Sequence, residues 1–186
     1  LFTRFPDTLV GHGEAIVRPR ISTQFDYEGE LAIVIGRTAR HVSAARALDH
    51  VAGYTCFLDG SVRDWQRHTT QFTPGKNFPA TGGCGPWFVT TDEIPDPAVL
   101  RLTTRVNGEV LQQAPVSDLC FGVPRIIEYC SSFCALNPGD IIATGTPSGV
   151  GFARMPPRWL KPGDTVEVEI GGIGILRHNV VDEAAS

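Results

Sequence analysis

The apolar residues of this chain fall in short runs separated by glycine and proline, which number 20 and 14 of the 186 positions. Few stretches hold a helical period for long, so strands and turns dominate the expectation. Gly29–Gly36 is a nearly continuous apolar run of strand length and reads as a buried strand. Thr165–Ile170 alternates polar and apolar positions, as a half-buried strand does, and Gly174–Val181 is placed to pair with it across Gly171-Gly172. Val89 and Leu100–Val106 read as strands around a turn, and Asp140–Thr144 as a further strand. Asn107-Gly108 is a hairpin signal, because these two residues tolerate the positive φ that a tight primed turn needs. Helices are fewer. Ser43–His50 reads as a short helix with Ser43 as its N-cap. Val123–Ser132 carries Ile126, Ile127 and Cys130 at helical spacing, with Pro124 tolerated in the first turn. The fold class expected is mainly β (α+β), with a few short helices.

Composition narrows this picture. Glycine and proline are spread evenly, with no linker, repeat or low-complexity tract, so residues 1–186 are expected to form a single domain. Apolar residues make up 42% of the chain and mean hydropathy is -0.01, which excludes a disordered polymer. Sixteen basic against 20 acidic residues give a net charge of -4 and leave no basic patch for nucleic acid. No apolar run approaches the roughly 18 residues of a membrane span. The five cysteines, Cys56, Cys84, Cys120, Cys130 and Cys134, are odd in number and lack paired spacing, which fits a reduced, cytoplasmic compartment. Cys130 and Cys134 share a helix face but have no second ligand pair nearby, so they read as buried apolar thiols rather than a zinc site. The chain starts at Leu1 and its only methionine is Met155, as expected of a trimmed chain or of part of a longer one.

Four segments carry candidate chemistry. Glu28 and Glu30 alternate into the same face of a strand at the mouth of an apolar run, where like charges repel unless water, a cation or a shared proton compensates them. Asp59 opens a polar segment after the apolar stretch Val51–Phe57 and is a third oxygen ligand in reserve. Three carboxylates suit a hard cation, Mg²⁺, Mn²⁺ or Ca²⁺, better than zinc. Arg63 in the same segment has the fork to clamp a carboxylate; with Asp64 it reads equally as a helix-capping ion pair. Lys76 lies on a loop constrained by Gly75 and Pro79 and is a candidate to stabilise an oxyanion, against the plainer reading of a surface lysine. Thr144–Gly151 is rich in small residues whose backbone N–H groups can approach an anion, although it is neither a P-loop nor a dinucleotide fingerprint.

Taken in order, Asp26–Gly36, Asp59–Gln66, Gly75–Phe78, Leu136–Gly151 and Leu160–Leu176 resemble the fumarylacetoacetate hydrolase family over nearly the whole chain. The resemblance implies a mixed β-roll or sandwich. It implies a divalent metal, Mg²⁺ or else Mn²⁺ or Ca²⁺, on Glu28, Glu30 and Asp59. It assigns catalytic and substrate-binding roles to Lys76, Arg63 and Gln66, and a substrate contact to Thr146. The activity it implies is hydrolysis of a C–C bond in an acylpyruvate or fumarylpyruvate type substrate, as in aromatic catabolism, by a homodimer. The alternatives are an isomerase, hydratase or decarboxylase acting on a related 2-oxo dicarboxylate, or a binder of metal and oxo acid without turnover. The expected partner is a small 2-oxo acid, not a nucleic acid or a membrane. Two departures stand out. Leu58 replaces the family's Asn before the metal aspartate. The family's water-activating His-x-x-Glu dyad is expected upstream of Glu28, and no such pair stands there; His12 reads as an ordinary loop residue. Trp65, Trp87 and Trp159 are candidates for core or interface.

Overall fold

The computed structural model describes residues 1–185, in which two five-stranded sheets face each other across one apolar core. The strands in chain order are β1 (Leu9–Gly11), β2 (Ile16–Arg18), β3 (Phe25–Asp26), β4 (Gly29–Ile35), β5 (Val51–Leu58), β6 (Ser61–Val62), β7 (Gly82–Thr90), β8 (Arg101–Val106), β9 (Glu109–Pro115), β10 (Ile141–Ala143), β11 (Thr165–Ile170) and β12 (Gly174–Asp182). The first sheet runs β1-β7-β5-β4-β10 and the second β2-β12-β11-β8-β9, while β3 and β6 form a small ribbon beside them. The helices are α1 (Arg63–Gln66), α2 (Thr73–Lys76) and α3 (Val123–Phe133), with short 3₁₀ turns between. Mainly β with few short helices is therefore the observed class. No helix among the described residues is long and apolar enough to cross a membrane.

Alternation decides which side chains enter the core. In β4, Leu31, Ile33 and Ile35 turn inward, and in β5 so do Tyr54, Cys56 and Leu58; all are buried. They meet Leu102 and Val106 of β8, Val166, Val168 and Ile170 of β11, and Leu176 and Val180 of β12. The other parity, Glu28, Glu30, Phe57 and Asp59, therefore lies on the opposite face of the same strands. Antiparallel register places Gly29 against Leu58 and Glu30 against Phe57, and the backbone N–H of Asp59 donates to the carbonyl of Glu28 at 2.9 Å. One ladder thus fixes the spacing of three acidic residues.

The expected hairpin over Asn107-Gly108 joins β8 to β9, with φ of 54° and 80° at the two turn positions. β11 and β12 pair as the alternation implied. Val89 and Leu100–Val106 do not flank a common turn. They belong to different sheets, because a proline-bearing connection with a 3₁₀ turn at Pro97–Val99, capped by Asp96, carries the chain from one to the other. α3 starts with Pro124 in its first turn and buries Val123, Ile127 and Cys130. The helix expected at Ser43–His50 is a 3₁₀ helix, Ala44–His50, and Ser43 makes no side-chain cap. Glu128 of α3 takes that role, accepting from the Ala44 N–H at 3.0 Å, so a tertiary bond displaces the local one. All five cysteines are free. Trp65 packs edge-on against Phe78, both half-buried at the border of the core, whereas Trp87 is exposed and its indole N–H donates to the carbonyl of Ile173 at 2.6 Å.

Among the polar side chains of the inner layer, one is an imidazole. His178 of β12 is buried, and its Nδ1 lies 2.8 Å from the Glu14 carbonyl, while Nε2 has no hydrogen-bond partner. Burial pushes its pKa down, so the ring is held neutral with the proton on Nδ1. The unfolded chain takes up a proton near pH 6.5 that the folded one resists, so this site's contribution to stability is present above that pH and is lost below it. Urea denaturation between pH 7 and pH 5 is expected to show falling stability in the wild type and a flatter profile in His178→Asn, whose amide keeps a donor for Glu14.

Candidate metal and oxo-acid site

Four separate stretches of chain meet where β4 begins and β5 ends. Ligand oxygens of Glu28, Glu30 and Asp59 all lie within 4.8 Å of one another, and all three side chains are buried. Like charges this close, away from water, are tolerated only with compensation. It comes first from Lys76, 1% exposed at the end of α2. Its Nζ donates to Glu28 Oε2, Asp59 Oδ2 and Ser61 Oγ, each at 2.6 Å. The surface reading of this lysine is thus overturned. α2 reaches the site because Gly75 lies against α1, where an added Cβ would stand 2.4 Å from the backbone nitrogen of Gln66.

Arg63 supplies the second cation and is 3% exposed. Its Nε donates to Asp26 Oδ2 at 2.8 Å and its Nη1 to Gln66 Oε1 at 2.9 Å. Nη2 stands 2.7 Å from Glu28 Oε1, close enough for an ion pair but off the line of a hydrogen bond, which leaves a buried donor unspent. Arg63 does not pair with Asp64, as a capping role would need; Asp64 accepts instead from Ser22 Oγ at 2.7 Å. Asp26 holds the arrangement from behind, since its Oδ1 takes the N–H groups of Tyr27 and Gly151, and its Oδ2 that of Phe152.

The third cation, Arg4, carried no signal in the sequence because its stretch has no pattern of its own. Its Nη1 is bonded to Asp59 Oδ1 and to the Gly60 carbonyl, and its Nη2 to Thr81 Oγ1 at 3.0 Å. Ser61, Asp26 and Gln112 were likewise visible only in three dimensions. Gln112 of β9 accepts from the Gly29 N–H at 3.0 Å and donates to Thr146 Oγ1 and the Pro147 carbonyl at 2.8 Å. Thr146 Oγ1 donates to the Gly29 carbonyl at 2.9 Å. The residue between the two glutamates is therefore clamped on both backbone groups by the second sheet and the Thr144–Gly151 loop. That loop does approach an anion: the Gly145 N–H donates to Glu30 Oε2 at 2.6 Å.

Glu30 is the carboxylate least served by cations. Burial and the charges of Asp59 and Glu28 raise its pKa well above the usual range, opposed by the Gly145 N–H and by Lys76. Leu58, the departure from the family pattern, is fully buried with the inner parity of β5 and stays in the core, away from the carboxylates. His12 receives the Arg177 N–H on Nδ1 in the turn between β1 and β2.

Comparison with known proteins identifies the family and the fold. The sequence family described as fumarylacetoacetate (FAA) hydrolase C-terminal matches residues 1–181. Oxaloacetate tautomerase YisK of Bacillus subtilis (strain 168) is 43% identical over 181 residues, covering 97% of this chain and 60% of that protein. The chain thus spans about three fifths of the length of the curated relatives it matches. The crystal structure of 2-hydroxyhepta-2,4-diene-1,7-dioate isomerase from Mycobacterium marinum has a TM-score of 0.88 at 43% identity, covering 96% of this chain and 67% of that one. Maleylpyruvate hydrolase from Sphingobium sp. SYK-6, solved in complex with manganese(II) ion and pyruvate, has a TM-score of 0.87 at 35% identity, covering 98% and 64%.

Two substitutions test the charge balance in EDTA-treated protein. The folded state holds the Glu30 proton above the pH at which the unfolded chain releases it, so this stabilising contribution is present at acid pH and lost as pH rises through the folded pKa. Glu30→Gln is expected to melt higher than the wild type at pH 9, with the gap closing towards pH 5. Lys76→Met leaves Glu28 only Arg63 and Asp59 only Arg4, and is expected to lower the unfolding free energy by about 3 kcal/mol at neutral pH, measured by urea denaturation.

Proposed function

The chain belongs to the fumarylacetoacetate hydrolase family, and we propose that it binds a 2-oxo acid on a divalent cation held by Glu28, Glu30 and Asp59 and draws the acid into its enol form. The observation that carries this reading is the buried triad with Lys76 and Arg63 at its border. The donors are all carboxylate oxygens, a set suited to Mg²⁺, Mn²⁺ or Ca²⁺. A divalent cation also relieves the repulsion that raises the Glu30 pKa. The manganese(II) and pyruvate of the Sphingobium relative are of the same chemical classes.

When bound, the cation supplies Lewis acidity at the keto and carboxylate oxygens of the acid. The protein's own residues do the rest. The unspent Nη2 of Arg63 orients a substrate oxygen, and Asp26 and Gln66 hold that guanidinium in place. The amide oxygen of Gln66 is taken by Arg63, which leaves its NH₂ to donate. The Lys76 ammonium, whose three N–H groups are committed to Glu28, Asp59 and Ser61, contributes a fixed positive charge beside the oxygen that gains charge as the enolate forms. Thr146 contributes through the Gly29 clamp, because its hydroxyl proton is spent on the backbone.

Isomerisation or tautomerisation needs this enolate and a proton moved to carbon. Hydrolysis of an acylpyruvate or fumarylpyruvate type C–C bond shares the enolate and needs, in addition, a water deprotonated at the carbonyl. Enolisation is the first reading, supported by the oxaloacetate tautomerase and dioate isomerase relatives; because Glu28 and Asp59 are ion-paired and Glu30 is hydrogen-bonded, the proton that leaves the α-carbon passes to solvent water. Hydrolysis is the second reading, supported by the maleylpyruvate hydrolase relative. A homodimer is part of the proposal on the family resemblance alone.

The test follows keto–enol interconversion of oxaloacetate and turnover of a panel of acylpyruvates, with Mg²⁺ or Mn²⁺. EDTA treatment or Glu28→Ala is expected to abolish activity, and oxalate to compete with substrate only when the metal is present. Undiminished turnover after complete chelation would overturn the reading.

A further inference from the structure

The site contains one cation that its own carboxylates do not use. Arg4, Arg63 and Lys76 are each ion-paired to Asp26, Glu28 or Asp59. Arg67 has no carboxylate within salt-bridge distance among the described residues, and it is exposed. It is nonetheless tied to the site. It follows directly on α1, the single helical turn that carries Arg63 and Gln66. Its guanidinium carbon lies 4.9 Å from the centroid of the Phe152 ring, and that of Arg63 lies 4.6 Å from the same centroid. The ring is itself anchored, because the Phe152 N–H donates to Asp26 Oδ2 at 3.0 Å, the oxygen that also receives Arg63 Nε. One aromatic ring therefore joins the rim guanidinium to the buried one that touches Glu28.

Charge bookkeeping gives this cation a purpose. Asp26, Glu28, Glu30 and Asp59 are four carboxylates, and Arg4, Arg63 and Lys76 are three cations. With a divalent ion and the single carboxylate of a monoanionic 2-oxo acid added, the charges cancel. A second carboxylate on the substrate would enter an already neutral, largely buried site, where an uncompensated anion is costly. Arg154 also lacks a carboxylate partner but is committed to the Tyr27 hydroxyl and the carbonyls of Gly149 and Leu111, which leaves Arg67, among the described residues, as the uncommitted guanidinium held beside the site; its planar fork matches a carboxylate bidentately.

We propose that Arg67 recognises the distal carboxylate of a dicarboxylic 2-oxo acid bound at the triad, and so sets a preference for dicarboxylates over monocarboxylates of the same length. This rests on the metal and oxo-acid reading above. Phe152 holds the guanidinium at the rim by cation–π contact, which limits its wandering while leaving its N–H edge free for the ligand. Arg67 is a specificity residue: the steps at the keto carbon do not need it.

The experiment measures binding by titration calorimetry in Mg²⁺, using three unreactive probes on the wild type, Arg67→Gln and Arg67→Lys. Oxalate chelates the metal and has no distal group; 2-oxoglutarate and 2-oxopentanoate have equal length and differ in the second carboxylate. Wild type is expected to prefer 2-oxoglutarate by about two- to fivefold, the range of an exposed charge pair. Arg67→Gln is expected to lose that preference while binding oxalate unchanged, and Arg67→Lys to keep part of it. Raising the salt concentration should shrink the wild-type preference and leave the variant unaffected. If oxalate binds and the preference is absent from the wild type or survives in Arg67→Gln, the assignment of Arg67 is overturned and the oxo-acid reading stands. If oxalate fails to bind the wild type at all, the oxo-acid reading falls and takes this assignment with it.

Discussion

The structure is organised around one electrostatic constraint: three carboxylates buried within a few ångströms of each other at the end of a strand pair. Nothing in the local backbone makes this tolerable. Lys76, Arg63 and Arg4 do so, and they arrive from a loop helix, a one-turn helix and the start of the chain. Each cation is then held by a second set of contacts. Ser61 holds Lys76, Asp26 and Gln66 hold Arg63, and the hydroxyl of Thr81 holds Arg4. Breaking one buried partner leaves a charge without compensation, and for that reason these contacts act as a unit.

The sandwich gives that unit its rigidity. The face of β4 and β5 that fills the core is apolar throughout, and the strand period puts the acidic residues on the other side by necessity. A one-residue slip of β4 would drive Glu28 and Glu30 into the core and Leu31 and Ile33 out of it. Gln112 adds a second lock by bonding the Gly29 backbone from the opposite sheet. The carboxylate geometry is thus a property of the whole fold.

Much of this could be read in the sequence because periodicity and turn chemistry are local. The run at Gly29–Gly36, the alternation at Thr165–Ile170 and the turn at Asn107-Gly108 need only neighbouring residues to be recognised. So does the shared face of Glu28 and Glu30. What escaped depends on distance in sequence. Arg4, Asp26, Ser61 and Gln112 act on partners brought close only by folding. Arg63 and Lys76 looked ambiguous because a side chain's burial is decided by tertiary contacts. The Ser43 cap failed for a related reason, since Glu128 competes for the same backbone N–H.

Strands far apart in sequence are sewn together. β2 pairs in parallel with the last strand, Ile16 opposite Val180, and β1 pairs in parallel with β7. During synthesis β2 leaves the ribosome long before β12 exists. Until then β2 has no neighbour and the second sheet lacks the strand between β2 and β11. Closure of this sheet must wait until β12 has been made, as expected of pairings so distant in sequence. A nascent chain is therefore a molecule with an unpaired edge and an open core, and its passage through the cell depends on how long that interval lasts.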